Sequence, residues 1–103
     1  MARKVIRDEI EEILVDCHDE DEQAGAWEVT FQDEVKTPFT ASLLGDPVEI
    51  TQFRLGTAIC MQCLIIRGDR ERWISIEDLD DENLPADFRH ATDLYRAWSS
   101  GDY

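Results

Sequence analysis

The chain has 103 residues with 24 Asp/Glu against 10 Lys/Arg, a formal net charge of −14. That length holds one modest core, so a single domain spanning residues 1–103 is expected. The charge argues against nucleic acid or an anionic membrane as partner, since both require Lys/Arg surfaces. Cations and basic proteins are the partners it permits.

The opening MARKVIRDEIEE turns acidic where the apolar core of a leader would follow, so no secretory leader is expected. No apolar run approaches the ~20 residues of a membrane span. Three cysteines, an odd number without secretory context, suit reduced thiols and a cytoplasmic location.

Ile6, Ile10, Ile13, Leu14 and Cys17 recur on one helical face, with Asp8, Glu9, Glu11 and Glu12 opposite, predicting a helix over about residues 5–16. Asp19 followed three residues later by Glu22 reads as a capping box for a second helix. Its interior is ambiguous. Trp27, Phe31 and Val35 are spaced by four, as in a helix, whereas Trp27, Val29 and Phe31 alternate, as in a strand. The cap and the four-residue spacing agree, so a helix to about Val35 is expected, ended by Pro38.

Beyond Pro38 the period becomes two. Phe39, Ala41 and Leu43 alternate with Thr40 and Ser42 as a half-buried strand, and Gly45-Asp46-Pro47 reads as a turn. Val48 and Ile50 hold one parity and Phe53 and Leu55 the other, which predicts a bulge near 51–53. Residues 58–66 are nearly all apolar and read as a central strand. Arg67-Gly68-Asp69-Arg70 is a hairpin turn, not an adhesion signal, and residues 71–76 return with Trp73. An acidic loop, 77–82, leads into a helical stripe of Leu84, Phe88, Ala91, Tyr95 and Trp98, with Pro85 and Asp87 in its first turn. Two helices, four short strands and a final helix give an α+β class. Strands so spaced point to a small antiparallel barrel or curled sheet.

Three acidic groups offer oxygen ligands to a hard cation: residues 16–22, the pair Asp33 and Glu34, and the 77–82 loop. Calcium takes six to eight oxygens at about 2.3–2.6 Å. Asp78, Asp80 and Glu82 alternate as in a calcium loop, yet Asn83 and Arg89 occupy the places of the EF-hand glycine and terminal glutamate. Cys60 and Cys63 have the spacing of a zinc knuckle but lie within the apolar run, where core cysteines are expected. His18 and His90 are the sole histidines, and no nucleophile–base pair or phosphate loop accompanies them. An enzyme is not expected.

Residues 16–41 resemble the small calcium-binding protein family first known from cyanobacteria. The resemblance rests on Val15-Asp16, Glu22-Gln23-Ala24, Trp27, Asp33 and Pro38-Phe39-Thr40-Ala41, with a looser match from Asp93 to Trp98. It implies an SH3-like barrel decorated by helices, with calcium held by clustered acids for buffering or signalling. Asp33 and Glu34 are then the expected direct ligands, with Asp16, and with Asp19, Glu22, Asp78 and Asp80 as contributors to a weaker site. Gln32 and Leu94 stand where the family would carry acids, and Thr37 replaces an aromatic residue. An affinity of ~10⁻⁶ to 10⁻³ M is expected for sites of this kind. The competing reading is an acidic SH3-like interaction module without a metal, meeting a basic partner and presenting Trp73 to a peptide.

Overall fold

The computed structural model describes residues 2–57 and 60–101, with side chains described from Arg7 onward. Helix α1 spans Ala2–Ile13 and α2 spans Glu20–Glu34. Four strands follow: β1 Phe39–Leu43, β2 Asp46–Leu55, β3 Met61–Arg67 and β4 Arg70–Ser75. A short 3₁₀ turn, Ile76–Asp78, precedes α3, Ala86–Ser100. The place of Ile6 on the first helical face, and of residues 58 and 59 in the central strand, lie outside what is described.

The capping box forms. Asp19 Oδ1 accepts the Glu22 amide at 2.8 Å, while Glu22 Oε2 accepts the His18 amide at 3.1 Å. Trp27, Phe31 and Val35 are buried and Val29 is 53% exposed, which settles the ambiguous segment as helix. α1 ends three residues earlier than its apolar spacing suggests. Leu14 and Cys17 extend that face as turns, their amides bonding Ile10 and Leu14 carbonyls.

The sheet is an antiparallel meander ordered β1-β2-β3-β4. Thr51 is the extra residue of a bulge, since Ile50 pairs with Ile65 and Gln52 with Leu64. The β1–β2 turn is Leu44-Gly45, both at positive φ (52° and 82°), rather than the Gly45-Asp46-Pro47 expected. Pro47 sits at the start of β2 opposite Ser42. The barrel expectation is corrected: β1 and β4 do not pair, and the sheet stays open. The helices supply the cover that further strands would give a barrel. Trp27 and Phe31 of α2 and Phe88 and Tyr95 of α3 meet Phe53 of β2 and Phe39 of β1 in one aromatic core, with neighbouring ring centroids 5.2–6.4 Å apart.

Cross-links between elements use polar side chains. Trp98 Nε1 donates to Gln23 Oε1 at 3.0 Å, joining α3 to α2. Glu28 Oε2 accepts the Leu55 amide at 2.7 Å, closing the end of β2.

Candidate functional site

A groove of about 520 Å³ opens where the three helices meet. Its polar lining comes from Glu9 and Glu12 of α1, Thr30 and Glu34 of α2, and Asp87 and His90 of α3, over a floor that includes Ile13, Ala91 and Leu94. Helical spacing explains the arrangement. Glu9 and Glu12 flank the buried Ile10, and Thr30 and Glu34 lie one turn apart beside Phe31. Ala91 and Leu94 sit on the inward face of α3, next to His90.

Several of these groups already have partners. His90 Nε2 lies 2.6 Å from Glu9 Oε2. Asp87 Oδ2 accepts the Lys36 amide at 2.9 Å, and Asp87 Oδ1 accepts the Phe88 amide at 2.8 Å. No bonded partner is seen for the carboxylates of Glu12 and Glu34 among the described residues. Apart from the His90 imidazole the donors are hard oxygens, the type calcium prefers. Their arrangement is open: among the described residues no three His, Cys, Asp or Glu side chains are placed to hold one metal ion.

The acids singled out in the sequence fare unequally. Glu34 enters the groove, while Asp33, next to it and exposed, is not part of the lining. Asp19 and Glu22 hold the start of α2 through their cap bonds. Asp80 clamps the β1–β2 hairpin, its two oxygens accepting the Leu44 amide at 3.2 Å and the Gly45 amide at 2.8 Å. Its own amide donates to the Ser42 carbonyl at 2.8 Å. Asp16 and Asp78 are exposed. Backbone amides thus hold three of these carboxylates, Asp19 and Glu22 through local cap bonds and Asp80 through the distant β1–β2 turn. Glu9, Glu12 and Asp87 line the groove without having been singled out in the sequence. The first two read as a solvated helix face, and nothing in their spacing shows which helices that face borders.

The two substituted positions have structural explanations. Gln32 Nε2 donates to the Phe53 carbonyl at 3.2 Å, a bond an ionised acid could not make. Leu94 is 4% exposed and belongs to the core. Trp73 is no bare aromatic platform, because the Arg54 guanidinium lies 4.1 Å over its ring. Cys60 and Cys63 are free thiols. Burial first, then the nearby Asp78 charge, pushes the Cys63 thiol up to about 12. Arg96 Nε bonds both oxygens of Glu77, at 3.0 and 3.2 Å.

A family model described as calcium binding, that of the CcbP proteins, matches residues 9–55. The crystal structure of Anabaena CcbP superimposes with a TM-score of 0.79 at 20% identity, covering 94% of this chain and 90% of that one. A calcium-binding protein in the calcium-binding form superimposes with a TM-score of 0.76 at 19% identity, covering 97% and 93%. Comparison with curated proteins gave no match. The molecule is thus an α+β protein of the CcbP fold, and the matched segment supplies Glu9, Glu12, Thr30 and Glu34 to the groove. Over residues 9–55 it resembles a family of calcium-binding proteins.

Proposed function

We propose that the chain binds calcium reversibly in the three-helix groove, as a buffer or signalling protein. The observation that carries this reading is the coincidence of the calcium-binding family match, residues 9–55, with the segment that provides four of the groove's six polar lining residues. Glu34 and Glu12 are proposed as direct ligands, with Asp33 at the rim, and with Glu9 and the Thr30 hydroxyl within the same groove. A bound divalent cation supplies positive charge that relieves repulsion among these carboxylates.

The chain's residues set the conditions for binding. Glu9, Glu12 and Glu34 have flexible stems and can turn inward without backbone movement. Glu9 must exchange its contact with His90 for a metal oxygen bond. Asp87 is less available, because two backbone amides hold it. A groove whose carboxylates must gather on binding gives weaker affinity than a preformed cage, since the ordering cost offsets part of the attraction.

Calorimetric titration with calcium in about 0.15 M KCl tests the proposal, because at that salt diffuse attraction is screened beyond roughly 8 Å. A saturable heat is expected, with affinity lowered about tenfold or more in Glu34→Gln. A flat trace from a folded protein would overturn it. Unchanged affinity in both Glu34→Gln and Glu12→Gln would remove the site from this groove.

A further inference from the structure

The β3–β4 hairpin gathers three of the chain's ten Lys/Arg residues, Arg67, Arg70 and Arg72. The Gly68-Asp69 turn sets Arg67 opposite Arg70 and Ile65 opposite Arg72. The two-residue period of strands then puts Arg67, Arg70, Arg72 and Ile65 on one face, with Glu71 between the two β4 arginines. These arginines rim a pocket of about 460 Å³ whose lining also includes Leu43, Ile65 and a single acid, Glu71, leaving three cations against one carboxylate.

Arg67 is committed, its Nη2 lying 2.6 Å from Asp46 Oδ2. Arg70 and Arg72 have no acidic partner among the described residues. That is unexpected in a chain with 24 acids and 10 Lys/Arg. Like charges directly across a ladder are destabilising, and three arginines within six positions repel one another. Solubility does not need them, because the net charge is already −14.

We propose that this pocket binds a small oxyanion, a carboxylate or phosphate, carried on an apolar body. Two free guanidinium forks match the paired oxygens of either group. Leu43 and Ile65 offer the apolar surface against which the rest of the ligand lies. The volume falls in the range of small-molecule sites, ~300–1,000 Å³. A long polyanion is disfavoured, since beyond the hairpin it would meet the acidic remainder of the molecule.

The test is an amide NMR titration of the full chain in calcium-free buffer with about 0.15 M KCl. Phenyl phosphate, benzoate and inorganic phosphate serve as probes, the first two sharing one apolar body. Saturable shifts centred on Leu43 and residues 65–72 are expected, with phenyl phosphate binding several-fold tighter than inorganic phosphate. The preferred probe of the aromatic pair identifies the anion. The double variant Arg70→Gln/Arg72→Gln is expected to weaken binding about tenfold or more, with remote amide signals reporting an intact fold. Non-saturating shifts with all three probes, shifts centred elsewhere, or undiminished binding by the double variant would overturn the proposal. Calcium plays no part in this experiment, so its outcome is independent of the groove.

Discussion

In a chain this acidic, the informative property of a carboxylate is what already occupies its oxygens. Asp19 and Glu22 are held by amides at the start of α2, Asp80 by the hairpin, Glu28 by the end of β2 and Glu77 by Arg96. No such partner is seen for Glu12 and Glu34 among the described residues, which is why they are the proposed cation ligands. Cys63 illustrates the same distinction in the core. Its thiol is pushed from 9.0 to about 12 by burial first. An unfolded chain releases that proton near the ordinary value while the folded one keeps it, so the folded state binds more protons above pH 9. Stability from this group is therefore full below about pH 9 and declines as pH rises toward 12. Denaturant unfolding between pH 8 and 11 should show this fall, and Cys63→Val should flatten it. An equal fall in the variant would assign the effect to other groups, Tyr95 among them, whose phenol burial also raises.

Elements were more legible than their contacts. The second helix could be read because Asp19 and Glu22 announce its start and Trp27, Phe31 and Val35 share one face. The bulge at Thr51 could be read because the apolar parity of β2 changes there. The turn before it could not, since Leu44 is a residue rarely found at positive φ. Its support comes from Asp80, 36 residues away, and such long-range capping leaves no local pattern. The family motif proves to be largely a packing motif: Gln23 bonds Trp98, Ala24 and Trp27 are buried, and Ala41 is 3% exposed. The sequence thus showed the family segment more clearly than the groove, whose walls come from three separate helices. Asp80→Ala isolates the hairpin clamp. It orphans two turn amides and should cost ~1 kcal/mol, a fall in Tm of roughly 5 °C for a domain of this size. Calcium affinity should be unaffected, since Asp80 lies outside the groove lining. A thermal melt matching the wild type would mean that water replaces the clamp at no cost.

At the scale of the whole molecule the net charge of −14 sets two separable responses to ions. Sodium chloride screens self-repulsion everywhere, whereas calcium bound at the proposed groove site would add a site-specific stabilisation, ~2.7 kcal/mol at one hundred times Kd. Thermal melts at matched ionic strength should therefore show a larger rise in Tm with millimolar calcium than with sodium chloride. Glu34→Gln should abolish the difference and keep the sodium chloride response. Equal shifts from both salts in the wild type would reduce calcium to a screening ion.

The unclosed sheet bears on how these molecules behave when crowded. Because β1 and β4 do not meet, β4 presents a free edge, and unsatisfied strand backbone invites a neighbouring chain to zip onto it. Arg70, Glu71 and Arg72 begin that edge with three charges in succession, so a copy of β4 laid antiparallel in a shifted register would bring arginines side by side. Charges at the start of that edge work against such stacking.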